Sequence, residues 1–129
     1  MDRWLGRHAE RIFALLRIVA GILYACHGAQ KLFGALGGTA MTSNPMMLVA
    51  GLIEFGGGLL IALGLFASWA AFIASGQMAA AYFMVHAKGG FWPIVNKGEL
   101  AVVYCFLFLY IAARGSGPYS VDAMLRRKP

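Results

Sequence analysis

An all-α integral membrane protein is the fold class this sequence predicts: an antiparallel bundle of four transmembrane helices with both termini in the cytoplasm. Three observations carry that reading. Hydrophobic residues make up 60% of the 129 residues. Charged residues make up 12%, about half the share of a soluble domain, so the chain lacks the polar surface that water demands. The apolar residues also fall into four runs, most of them near the roughly 20 residues a spanning helix needs. Basic residues flank these runs instead of covering one polar face. In that arrangement a net charge of +6 encodes orientation and contact with anionic lipid, not nucleic-acid binding.

The first span is read over residues 12–33. Arg3, Arg7 and Arg11 precede it as they would in a signal peptide, but no A-x-A-like site follows. Tyr24 is too bulky for a lipoprotein signal ending at Cys26. The run is therefore expected to persist as a helix. Gly34, Gly37 and Gly38 open a turn-rich loop through residue 45. Pro45 suits the first turn of a second span over residues 46–66, where its missing N–H costs little. Ala67-Ser68 leaves room only for a tight turn before a third span over residues 69–87. The run from Lys88 to Pro93 breaks that helix, and Asn96-Lys97-Gly98 leads into a short fourth span over residues 99–113. Residues 1–129 thus form one transmembrane domain closed by a basic tail.

Four spans put Arg3, Arg7, Arg11, Arg114, Arg126, Arg127 and Lys128 on one side and Lys31, Lys88 and Lys97 on the other. The more basic side is the cytoplasmic one, which places the protein in an inner membrane as a multi-pass chain. Trp4, Trp69 and Trp92 lie near span ends, as interfacial anchors do. Gly56-Gly57-Gly58, the Gly58-x-x-x-Ala62 pair, and Ala70, Ala71 and Ala74 would let helices approach closely.

Polar residues within the spans are the candidate functional groups, because charge in a bilayer is costly unless it faces the protein interior. In the first span Arg17, Gly21, Tyr24, His27, Gly28 and Lys31 recur at helical spacing and share one face. Glu54 lies nine residues beyond Pro45, roughly 13 Å along the helix at 1.5 Å per residue. Gly51 and Gly58 near its face would admit a close neighbour. Ser75, Met78, Tyr82 and His86 form a stripe in the third span with Gln77 beside it, and Glu99 begins the fourth. This topology converges His27, Lys31, His86, Lys97 and Glu99 near the outer surface, with Glu54 deeper and Arg17 nearer the cytoplasm. The two His and two Glu match no short ligand motif, so no metal site is expected. Cys26 and Cys105 form no C-x-x-C pair and read as buried thiols.

Taken in order, these residues resemble the DoxX family of small bacterial membrane proteins. The resemblance runs through Arg17, His27-Gly28-x-x-Lys31-Leu32, Glu54-x-Gly56-Gly57, Gly64 and Met78. It continues through Asn96-x-Gly98-Glu99-x-Ala101, Tyr104 and Gly115-x-Gly117-x-Tyr119-Ser120-x-Asp122. Ser68 stands where relatives often carry a basic residue. The resemblance implies a four-helix membrane bundle and a link to redox chemistry, of the kind found in a thiosulfate:quinone oxidoreductase subunit. No electron-carrier motif is visible, so no cofactor is evident in the sequence.

The favoured expectation is a redox-associated subunit binding a quinone or a small sulfur compound in an outer-half polar funnel. Glu54, His27 and Glu99 are its catalytic candidates. Arg17, Lys31, Gln77, Met78, Tyr82, His86, Asn96 and Tyr104 are its substrate-binding candidates. Expected partners are membrane lipid and a redox protein or larger respiratory complex; a homo-oligomer is compatible. The alternatives are a non-catalytic accessory subunit, with the polar stripes as internal glue, and a small proton-coupled transporter built on Glu54.

Overall fold

A computed structural model describes residues 1–126. Its described residues are helical, without strands. Helix α1 (Asp2–Leu5) runs through a tight turn at Gly6–His8 into α2 (Ala9–Phe33), which ends on Gly34 in the left-handed conformation. Helix α3 (Pro45–Leu63) starts from an Asn44 cap whose side-chain oxygen accepts from the Met46 and Met47 amides at 3.0 and 3.4 Å. Helix α4 spans Ala67–Ala81, α5 Pro93–Asn96, α6 Glu99–Arg114 and α7 Val121–Arg126. Asp2–Phe33 and Pro45–Leu63 are each long and apolar enough to cross a membrane.

Several boundaries differ from the sequence reading. Helix α3 stops at Leu63, three residues early, because Gly64 (φ 72°) and Phe66 (φ 49°) both take left-handed backbone and reverse the chain. The third helix starts at Ala67. It does not stay α-helical to residue 87: a π turn covers Tyr82–His86 and a 3-10 turn Ala87–Gly89. Arg127 and Lys128 of the basic tail lie outside the described residues.

The helices pair closely as α2 with α3 and as α4 with α6. In the first pair, glycines bring two antiparallel backbones into contact. A Cβ on Gly21 would lie 2.6 Å from the Ala62 nitrogen, and one on Gly58 2.6 Å from the Ala25 nitrogen and the Gly21 carbonyl. A Cβ on Gly28 would overlap Phe55 backbone and lie 2.7 Å from the Gly51 carbonyl. Of the triple glycine, only Gly58 serves this seam: a Cβ on Gly56 would meet nothing, and one on Gly57 would only touch Tyr24 at 3.9 Å. In the second pair, Ala71 and Ala74 are fully buried, and the Ser75 hydroxyl donates to the Cys105 carbonyl at 2.7 Å.

Between the pairs the spacers are aromatic. Tyr24 of α2 meets Phe108 and Tyr104 of α6 at ring separations of 4.8 and 5.7 Å, and Phe13 meets Tyr110 at 6.2 Å. The outer faces carry exposed Leu15, Leu52, Phe72 and Phe106. That is a surface for hydrocarbon, not for water.

At the end bearing the termini, Arg17 is 1% exposed. Its guanidinium donates to the carbonyls of Ile61 (3.0 Å), Ala62, Ser116 and Tyr119 (2.9 Å). It thereby satisfies the last carbonyls of α3, which no intrahelical N–H can reach, and ties down the segment after α6. Asp122 completes the clasp by accepting from the Phe66 amide at 3.1 Å and the Ser116 hydroxyl at 2.6 Å. Burial alone would push the Asp122 carboxyl up. Hydrogen bonds from Ser116 and the backbone of Phe66 and Ala67, with the charge of Arg126, outweigh it and hold the carboxyl below its ordinary 3.8. Arg114 pairs with Glu10 and lies 4.0 Å over the Phe13 ring.

Candidate functional site

Because glycine and alanine make the two seams tight while aromatic rings hold the pairs apart, the space between the pairs is not filled. A cavity of about 460 Å³ lies there, bounded by residues of α2, α3, α6 and the third helix with its π turn. That size suits a small organic ligand.

Toward the terminal end its wall is polar. The Lys31 ammonium donates to Glu54 Oε1 at 2.7 Å. The Gln77 amide donates to Glu54 Oε2 at 2.9 Å, and the Tyr24 hydroxyl donates to Gln77 Oε1 at 2.7 Å. This chain joins α2, α3 and α4. Glu54 is 1% exposed, and a carboxylate so deep persists as a charge only with a partner and hydrogen bonds. Both are present. Among the described residues no buried side-chain nitrogen or oxygen lacks a partner. The rest of the wall is mostly apolar and includes four thioethers, Met46, Met47, Met78 and Met84. His27, stacked edge-on against Tyr104 at 6.2 Å, lines the same space, as do His86 and Lys97.

Of the residues singled out from the sequence, the cavity gathers Glu54, His27, Lys31, Gln77, Met78, His86 and Tyr104. It leaves four outside. Arg17 is spent on backbone carbonyls at the terminal end. Asn96 is a loop brace: its amide donates to the Tyr82 hydroxyl at 3.1 Å and the Gly90 carbonyl at 2.8 Å, and its side-chain oxygen accepts from Gly98 N–H at 2.8 Å. Tyr82 joins that brace by donating to the Phe91 carbonyl. Glu99 sits exposed at the first turn of α6. The Lys31 side chain also reaches down to Glu54, so the two are not a mouth and a floor but one ion pair.

Tyr24 belongs to the polar stripe visible in the sequence, although its bond to Gln77 crosses helices and has no local signature. Met46, Met47 and Met84 carried no signal, since methionine in an apolar run reads as packing.

A family model described as DoxX matches residues 12–87. A Haemophilus influenzae protein described as an uncharacterized protein is 41% identical over 131 residues, covering 96% of this chain and 98% of that relative. No solved structure matches the chain.

Proposed function

This chain belongs to the DoxX family, and from that premise we propose that it is a four-span subunit of the inner membrane that binds a quinone for a redox partner. The termini face the cytoplasm, with the Lys31, Lys88 and Lys97 end outside. The observation that carries the reading is the cavity: an apolar slot of quinone dimensions whose polar end presents an ammonium, a carboxylate, an amide and a phenol in one connected chain.

Quinone reduction needs hydrogen-bond donors at two carbonyls, two electrons and two protons. Lys31 and His27 supply donors. The two protons are taken up from water and reach the reduced oxygens through the Lys31 ammonium and His27, with Glu54 holding Lys31 in place as its counter-charge. The electrons come from a redox-protein partner or a small sulfur donor. At the polar end of the cavity the Lys31 charge is already neutralised by Glu54, which favours a neutral carbonyl compound at that end.

A short-tail quinone titrated into the purified protein, followed by tryptophan fluorescence, is the direct test. Binding in the micromolar range is expected, with Glu54→Gln and His27→Ala each weakening it at least tenfold. Unchanged affinity in both variants removes the cavity from the reading. Complete hydrogen-bond satisfaction of the buried side chains among the described residues also favours a second reading, a non-catalytic accessory subunit with this hydrogen-bonded chain as internal glue. Purification with a stoichiometric redox partner and no quinone response would select it. Fusion of a fluorescent reporter that matures only in the cytoplasm tests the topology: bright fusions are expected at both termini, dark ones in the loop at Thr39.

A further inference from the structure

The cavity has two unlike rims. Between α2 and α6 the rings of Tyr24, His27 and Tyr104 bridge the gap. Between α3 and the third helix nothing comparable does. Above the Glu54–Gln77 bond, no hydrogen bond or ring pair joins these two helices among the described residues. They pack against each other beside the turn of residues 64–66 that joins them. The rim residues they contribute are apolar and open: Met46 is 51% exposed, Val49 56%, Met84 49% and Val85 53%. Met84 and Val85 lie on the π turn, a deformation that recurs at functional sites.

The loop beyond this rim has the same preference. Phe91, Trp92, Ile94 and Val95 are 72%, 67%, 79% and 64% exposed. The loop is nevertheless braced by the Asn96 and Tyr82 bonds and by a Gly98 packed so closely that a Cβ would lie 2.9 Å from both His86 and Tyr82. A braced loop that presents two aromatic and two branched side chains outward, between Lys88 and Lys97, has the chemistry of the headgroup boundary. Counted along the helices from that boundary, Val49, Met84 and Val85 fall on its hydrocarbon side, and Met46, in the first turn of α3, at its edge.

We infer that the cavity is filled sideways from the bilayer, between α3 and the third helix, by a membrane-dissolved compound whose apolar tail lies in that seam and whose polar head reaches the Lys31–Glu54 pair. The inference rests on the reading of the cavity as a ligand site, and it names the ligand class as one with a long apolar tail. Water is not the route.

Cysteine accessibility in proteoliposomes tests this without a ligand. In a background with Cys26 and Cys105 replaced by alanine, Ile53→Cys in the cavity wall is compared with Leu52→Cys on the exposed face of the same helix. Reference to Leu52→Cys corrects for the slow reaction of thiols in hydrocarbon. An apolar, membrane-dissolved maleimide is expected to modify both variants within a factor of ten of each other. A charged, water-borne methanethiosulfonate is expected to modify neither. Adding Val49→Trp as a plug should slow maleimide modification of the Ile53→Cys variant about tenfold. The inference is overturned by any of three results. The charged reagent modifies the Ile53→Cys variant; the maleimide modifies Leu52→Cys but not Ile53→Cys; or the plug has no effect. Ala81→Cys, on the opposite wall, repeats the measurement should Ile53→Cys fail to fold. Lateral access without quinone binding leaves this inference standing and removes only the quinone. Quinone binding with access of the charged reagent does the reverse.

Discussion

At the scale of single residues, the buried charges divide by what surrounds them. Arg17 and Glu54 are equally buried, each 1% exposed. Arg17 meets only carbonyls, which a planar guanidinium can satisfy several at a time and an ammonium cannot. Its role is to finish α3 and hold the chain end. Glu54 meets Lys31 and Gln77 at a cavity wall. Truncating one member of a buried ion pair costs about 3–5 kcal/mol, because the other charge is stranded. Lys31→Met should therefore lower the melting temperature in detergent markedly, while Lys31→Met combined with Glu54→Gln should recover most of the loss. If the single and double variants melt alike, the pair does not hold the helices in the way the 2.7 Å contact indicates.

At the scale of elements, the α2–α3 seam is drawn tight by backbone contact. Residues seven apart, Gly21 with Gly28 and Gly51 with Gly58, recur on facing stripes of two antiparallel helices. Close approach of this kind supplies dispersion and weak Cα–H···O contacts where a bilayer offers no hydrophobic drive between helices. Gly28→Leu or Gly58→Val must push the helices apart and should cost at least the roughly 1–3 kcal/mol typical of overpacking. Gly56→Ala and Gly76→Ala face open space. They should be neutral or stabilise by up to about 1 kcal/mol through helix propensity. Melting of the four variants in one detergent checks the contrast, and a destabilising Gly56→Ala would mean that a partner covers that face.

At the scale of the whole molecule, the two helix pairs are joined at one end by the Arg17–Ser116–Asp122 clasp and are parted by the cavity toward the other. Because the folded Asp122 carboxyl lies below its ordinary value of 3.8, the unfolded chain binds the proton more readily. The clasp contributes stability above that pH and loses it as the pH falls through the lowered value. Wild type should melt higher than Asp122→Asn at neutral pH, and the gap should close below about pH 3.8. A gap independent of pH would show that the carboxylate charge is not what the clasp uses.

Hydropathy was enough to read an all-helical membrane chain, the ordered motifs to read the DoxX family, and the spacing of polar groups to put Tyr24, His27 and Lys31 on one face of the first helix. These are properties of single helices or of ordered motifs, and a local pattern records them. What only the tertiary structure decided is pairing. Tyr24 bonds Gln77, Lys31 descends to Glu54, Asn96 and Tyr82 brace a loop instead of lining the site, and Arg17 closes the far end. It also decided that methionines with no polar signal line the cavity. The physical reason is that helical periodicity fixes which face a residue occupies but not which helix that face meets. Here the meeting is set by small residues that draw two pairs of helices together and by aromatic rings that keep the pairs apart.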